Sequence, residues 1–438
     1  MKARTKFIGG VLLGLVAVAA TAPWWVPTGA WKGPLEAAAS QALDAPVTIG
    51  DIDVFLLPLP HAAVRAVDVG GGALRLDAAT VRPDLLSLLS SPRRLKSVEL
   101  RALEVTPQGL ALLQRLAERA PAGPPAVELA HLQARAVKIT LAAGPLPALD
   151  ATVALGAQNQ PQSVRVATVD GKATLTAEPD GEGWKVALAA NGWALPLGPP
   201  LVLDELSASG RADRERLTLP TVQARLYGGR AGGSVEVAWA KGVRMAGKAE
   251  VSGLDIAPLL QALKVKASLA GQLQANGSFR AQAPRAAALA DAFNAEFAFK
   301  VDQGVLRGFD LASAAKTLVK GGSGGGETRF DQFTGNVQLA GRAVRLRNLK
   351  VASGVLDARG NIDVSPARAL GGRVEVDLKG TGGLVGVPLA VSGTVADPVV
   401  LPTKGALAGA AVGTVLLPGV GTSLGSSVGD RLGRMFGK

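Results

Sequence analysis

From about residue 127 onward the chain repeats one pattern that leaves little choice of fold. Apolar residues alternate with polar ones at period two. Val137, Ile139 and Leu141 are separated by Lys138 and Thr140, and Val164, Val166 and Thr168 follow the same spacing. So do Trp184, Val186 and Leu188, then Val235, Val237 and Trp239, then Phe297, Phe299 and Val301, then Val374, Val376 and Leu378. A period of two places every second side chain on one face of a strand, so each run has one apolar and one polar face. That is the pattern of antiparallel sheet with a single covered side. Turn signals separate the runs: Pro179-Asp180-Gly181, Asn191-Gly192 and Tyr227-Gly228-Gly229. The expected class is mainly β: a long antiparallel sheet with a few short helices.

Composition agrees. The chain has 55 Gly and 27 Pro, which suits many short strands and turns. It is 48 % hydrophobic but only 4 % aromatic, so the apolar matter is mostly Ala, Val and Leu. There is no cysteine, which excludes disulfides and thiolate metal sites, and two histidines, His61 and His131, cannot alone build a usual zinc site. No cofactor is expected. The net charge of +12 is spread thinly, with one small knot at Arg93, Arg94 and Lys96. Nucleic-acid binding calls for clustered cations with aromatic platforms, which this chain lacks. A basic surface beside anionic lipid head groups fits it, as does an ordinary solvated one.

The start of the chain bears on location. Lys2, Arg4 and Lys6 precede an apolar run over residues 7–26, long enough to span a bilayer, with Trp24, Trp25 and Trp31 at its far end. The positive-inside rule puts the N-terminus in the cytoplasm and the rest outside. The expected localisation is single-pass in a bacterial inner membrane, with the bulk in the periplasm. A cleaved signal peptide is the rival reading, on Ala20-Thr21-Ala22, although Pro23 after the cut is unfavourable. Either way the body is exported.

Four regions follow: an anchor (1–26), an N-terminal α/β region (27–125), a β region (126–403) and a Gly/Ala-rich apolar tail (404–438). Helical spacing is read at residues 34–43, 84–89 and 109–119; in the last, Leu110, Leu113, Leu116 and Ala117 share a face. The Pro-rich residues 120–125 mark a boundary. Asp255 is placed to cap a helix over 256–263 and Asp310 one over 311–319. Residues 321–326 form a glycine loop. The tail reads equally as an interfacial membrane segment and as a loose terminus.

Catalytic signals are weak. Gly421-Thr422-Ser423-Leu424-Gly425 matches a nucleophile elbow in letters, but no histidine follows it. Ser313-Ala314-Ala315-Lys316 matches S-x-x-K without its partner motifs. The glycine loop lacks the Lys-Ser/Thr ending of a phosphate loop. Asp51 and Asp53 share a strand face, as do Asp302 and Gly304; such carboxylates are routine on solvated strands. His61 is placed in a loop and His131 in a strand. No catalytic residue is assigned.

Several stretches, in order, resemble the AsmA-like family of envelope proteins. They are Leu226-Tyr227-Gly228-Gly229, residues 253–260 (GLDIAPLL), residues 304–311 (GVLRGFDL), Glu327-Thr328-Arg329-Phe330, residues 359–364 (RGNIDV) and residues 387–398 (VPLAVSGTVADP). The match runs over about 220–402, and loosely over 1–60. The resemblance implies a sheet curled into a groove with an apolar inner face, which in larger relatives is thought to carry phospholipid. It implies lipid binding or transport in outer-membrane maintenance, and no catalytic residues. Val235, Val237, Trp239, Phe297, Phe299 and Val301 are the residues expected to line the groove. The expected partners are phospholipids or other envelope lipids, the inner membrane, and an outer-membrane or envelope protein. Two alternatives stay open: a structural or assembly factor whose sheet encloses a sealed core, and an exported hydrolase with an unrecognised carboxylate pair. About 20–25 strands at about 4.8 Å would make a ribbon too short to cross a whole periplasm unaided.

Overall fold

The structure is a computed structural model. It describes residues 29–87, 93–118, 127–141, 144–196, 199–240, 242–265, 268–308, 310–316, 326–379 and 386–408, Leu56 and Pro58 excepted. The apolar run at 7–26, the Pro-rich boundary, most of the glycine loop, most of the tail and the Gly421–Gly425 motif lie outside these. Among the described residues no helix is long and apolar enough to cross a membrane. Among the described residues strand is the dominant element, with 22 strands and four α-helices in chain order. Two compact units divide the chain: residues 1–197 with 209–214, and residues 198–208 with 215–438.

The first unit begins with α1 (Gly29–Leu43) and the meander β1 (Val47–Phe55), β2 (His61–Val69), β3 (Leu74–Pro83) and β4 (Arg93–Val105). After α2 (Pro107–Glu118), β5 (Val127–Leu141) pairs parallel to β4, the one crossover in this ladder. Then β6 (Gly144–Pro145) is a two-residue hairpin arm, and β7 (Leu149–Leu155), β8 (Pro161–Thr168), β9 (Ala173–Asp180) and β10 (Gly183–Ala194) continue antiparallel. The parallel step is possible because α2 supplies the crossover. Thr106 caps α2: its Oγ accepts from Gly109 N–H at 3.3 Å. Leu112 and Leu116 bury the helix against the sheet, as do Leu35, Ala39 and Leu43 of α1. Asn191-Gly192, expected to be a turn, lies inside β10. Gly192 holds a φ of 54° there, so the left-handed residue marks an irregularity within the strand and not its end. His61, expected in a loop, is the first residue of β2.

The ladder carries a crease. Ala66, Ala102 and Ala136 hold left-handed φ values of 49°, 52° and 53° at one level of β2, β4 and β5. At that level the inward apolar positions step by three instead of two: Val64 to Val67, Leu100 to Leu103, Ala134 to Val137. A left-handed non-glycine residue costs about 1–2 kcal/mol, and such irregularities bend a sheet and increase its twist. The amide freed at Ala136 is recovered, donating to Asp150 Oδ1 at 2.8 Å.

One buried polar clasp holds β5. Asn159 Oδ1 accepts from Leu129 N–H at 2.7 Å, and its Nδ2 donates to Val127 O at 2.9 Å. Beside it, Glu128 accepts from Gln158 N–H and then from Arg94; these contacts hold its carboxyl below the ordinary value. That contribution is complete above the ordinary carboxylate pKa and is lost as pH falls through the depressed one. Asn159→Ala leaves a buried donor and acceptor unpaired and is expected to cost about 2–4 kcal/mol. A urea midpoint within experimental error of the parent would show the clasp to be dispensable.

The second unit is an antiparallel meander. It runs through β12 (Arg216–Leu226), β13 (Gly229–Ala238), β14 (Val243–Asp255), β15 (Ser268–Ala283), β16 (Asn294–Arg307), β17 (Glu327–Ala340), β18 (Ala343–Ala352), β19 (Leu356–Val364), β20 (Leu370–Leu378), β21 (Val387–Gly393) and β22 (Pro398–Pro402). β11 (Val202–Ala212) contributes residues to both units. The expected caps are present. Asp255 Oδ1 accepts from Ala257 N–H at 3.1 Å at the start of α3 (Ile256–Ala262), and Asp310 Oδ1 from Ser313 N–H at 2.8 Å at the start of α4 (Leu311–Lys316). Tyr227 and Gly228, with φ of 49° and 76°, form the two-residue turn between β12 and β13.

Helix α4 is a six-residue plug. It packs on β17 and also on β20, β21 and β22. A Cβ placed on Gly308, at the end of β16, would lie 3.5 Å from the Pro398 ring at the start of β22. Six strand steps would separate those strands by about 29 Å in a flat sheet. This end of the ladder therefore bends around α4. Leu311 and Ala315 of the plug, and Val376, Val387 and Leu389 of the strands it packs on, are fully or almost fully buried.

Both outer edges are covered. On β1, Val47 N–H donates to Ser40 Oγ at 2.9 Å and Ile49 N–H to Glu36 Oε1 at 2.7 Å, so α1 occupies its free edge. On β22, Thr403 N–H points inward to Pro388 O at 3.1 Å. Strand residues alternate, so positions 398, 400 and 402 turn their nitrogens outward, and two of the three are proline.

Candidate functional site

Registers join the apolar positions of the second unit into continuous rows. One row runs Gly277, Phe297, Val337, Leu346, Ile362 and Gly372, each directly opposite the next. Another runs Leu217, Val237, Met245 and Ala281 across β12 to β15. No Asp, Glu, Lys or Arg stands in these rows. The reverse face carries the charges, paired as Lys300–Asp302 (3.0 Å), Arg347–Asp363 (2.6 Å) and Arg359–Glu375 (3.2 Å). These are largely exposed pairs, each worth about 0–1 kcal/mol.

The apolar face is closed at one level and open at others. Val301 is 0 % exposed and stands opposite Leu273, itself buried. One row away Phe299, and two rows away Phe297, Val337, Leu346 and Ile362, are only half-buried; Val235 and Val237, three and four rows away, are half-buried too, although Ala295 and Ala281 in their rows are buried. An ordinary core would bury such residues fully. Of the six residues expected to line this face, Val235, Val237, Phe297 and Phe299 stand on its open part and Val301 in its packed layer. Trp239 falls just beyond β13 and is 42 % exposed.

Sequence reading missed how the phenylalanines are used. Gly247 stands opposite Phe279, Gly277 opposite Phe297, Gly335 opposite Phe299, and Gly304 opposite Phe330. In each pair the ring lies against the position a glycine Cβ would fill. These rings therefore fill the gaps left by glycines on the neighbouring strand, while Phe333, opposite Val301, stands edge-on to Phe299 and Phe330. Backbone crowding shows which side is concave. A Cβ on Gly277 would overlap Glu296 O, and one on Gly372 would overlap Asn361 O, whereas Gly371 on the reverse face has nothing within 4 Å. Gly277→Ala is expected to destabilise the chain by about 1–3 kcal/mol. Gly371→Ala is expected to be neutral or to stabilise by about 0.5 kcal/mol. Equal thermal midpoints for the two variants would contradict the concave assignment.

Other places offer less. A cleft of about 240 Å³ is lined by Ala312, Glu327, Thr328, Arg329, Val355 and Leu356, below the size usual for small-molecule sites. Ser313 and Lys316 lie on α4, where the Ser313 amide serves the cap. Asp53 is paired with Arg65 at 3.1 Å. His61 stacks on Phe55, and His131 is exposed on β5. Among the described residues no group of His, Cys, Asp or Glu could hold a metal ion.

Comparison with known proteins yields one match. The model of the AsmA family matches residues 120–349, more than half of the 438 residues. It takes in residues 120–210, which sequence motifs alone had not placed, and stops short of residues 387–398. No curated protein and no solved structure matches. With the one-faced β-ladder and the ordered motifs from Tyr227 to Phe330 inside the matched span, the chain belongs to the AsmA family.

Proposed function

We propose that this chain is an inner-membrane-anchored periplasmic protein that binds or carries phospholipid along the concave apolar face of its curled sheet, in the service of outer-membrane maintenance. The observation that carries the reading is the half-buried apolar side chains of two rows, Phe297 to Ile362 in one and Val237 in the other, with no charged residue in either. In water such a face is unfavourable by about 25 cal/mol per Å². Acyl chains are the cover that matches its chemistry. The charges on the reverse face keep that side in water.

The test is mass spectrometry of lipids retained by the full-length protein in a mild detergent. The expected result is phospholipid at one or more molecules per chain. A control carrying only residues 1–30 fused to an unrelated soluble domain measures lipid held by the apolar run. Retention no greater than in that control would overturn the reading.

A further inference from the structure

The hairpin between β1 and β2 ends in a tip with no role in the apolar face. Val54, Phe55, Leu57 and Leu59 are 38, 41, 84 and 63 % exposed, the densest cluster of bare large apolar side chains among the described residues. From position 54 to position 64 there is no Asp, Glu, Lys or Arg. The base of the tip is ordered: His61 stacks on Phe55 with ring centres 4.7 Å apart, and its Nδ1–H donates to Leu59 O at 2.9 Å.

The direction of the tip follows from α1. Ser40 bonds the amide of Val47, Glu36 that of Ile49, and Lys32 Nζ the carbonyl of Gly50. Eight residues of helix, about 12 Å, thus track three residues of strand, about 10 Å, in the opposite sense. The start of α1 and the tip therefore point the same way. Continuing both, the tip reaches about 10 Å past Gly29, where α1 begins. The apolar run 7–26 ends three residues before that point.

We infer that Phe55, Leu57 and Leu59 dip into the bilayer surface from which α1 emerges, giving the body a second contact beside its anchor. A protein partner is disfavoured by size, since a stable interface needs on the order of 1,000 Å² and four side chains at a hairpin tip present far less. Uncharged aliphatic and aromatic tips inserted about 5–10 Å suit the headgroup–acyl boundary. The inference rests on residues 7–26 being a retained anchor and is independent of lipid in the curled sheet.

The chain has no cysteine, so Leu57→Cys gives a single labelling site in the full-length protein. It is labelled with an environment-sensitive nitrobenzoxadiazole dye and reconstituted in vesicles of phosphatidylethanolamine and phosphatidylglycerol, with and without lipids carrying a nitroxide high on the acyl chain. Arg75→Cys, on an exposed side chain about 23 Å from His61 along the hairpin, is the control. The expected result is a blue-shifted emission at position 57, quenched at least twofold by nitroxide lipid, with neither effect at position 75. Water-like emission at 57 overturns the inference; so does a blue shift without quenching, which would mean that protein covers the tip. Intact mass of the membrane-bound chain reports separately whether residues 1–26 are retained.

Discussion

Phe299→Asp in the full-length chain is expected to fold and to lose most of its retained lipid, about tenfold against the parent. The ring lies over Gly335 on the open part of the face and is half-buried. A carboxylate there has water available while the face is empty, so folding loses the ring's packing but buries no bare charge. Bound acyl chains would expel that water and leave the charge unsolvated, a penalty of several kcal/mol set against the lipid. Val237→Asp, nearer the other end of the rows, should behave alike. Glu236→Gln and Lys300→Gln, on the reverse face, should change neither fold nor lipid. A folded Phe299→Asp protein with undiminished lipid would remove that strand from the binding face.

Val376→Asp, on the same face and four strand residues from Gly372 at the end of the half-buried row, is expected to do the reverse. Val376 is 0 % exposed beneath α4. An unpaired carboxylate cannot reach water there, and its cost approaches the whole stability of a domain, about 5–15 kcal/mol. The expected outcome is aggregation or proteolysis of the second unit, with lipid loss following from misfolding. Soluble Val376→Asp protein with a parental melting temperature would show that the plug does not seal the end it covers. Together the two carboxylates map where the face changes from core to open surface.

Much of the fold is legible along the chain. Alternation at 235–239, 297–301 and 374–378 marks strands because every second position meets a different solvent. Asp255 and Asp310 announce their helices because a cap acts within three residues. Residues 387–398, the last stretch of the family resemblance, run through β21 into the start of β22. What is not legible is what depends on a partner far away in sequence. Nothing near Gly247 tells that Phe279 lies over it, because only the register of β14 on β15 brings them together. Ala66, Ala102 and Ala136 are ordinary alanines until β2, β4 and β5 crease at one level. The crease also lengthens the apolar step to three, which hides strand continuity from a period-two reading. Asn191-Gly192 carries the letters of a turn, yet β10 runs on through it to Ala194. The concave face was therefore foreseeable as an alternation, but its pairing of rings with glycines and its boundary with the sealed end were not.

The two prolines on the outer side of β22 bear on how many chains can share a sheet. A meander of this kind lengthens by adding a strand to whatever edge is free, and an edge does not distinguish its own next strand from a neighbour's. Copies crowded together favour such recruitment. Between Pro398 and Pro402 only Val400 offers an outward amide, too little to seat an incoming strand. Sheet growth from one molecule into the next stops at this end, and the ladder has a defined length where it would otherwise polymerise.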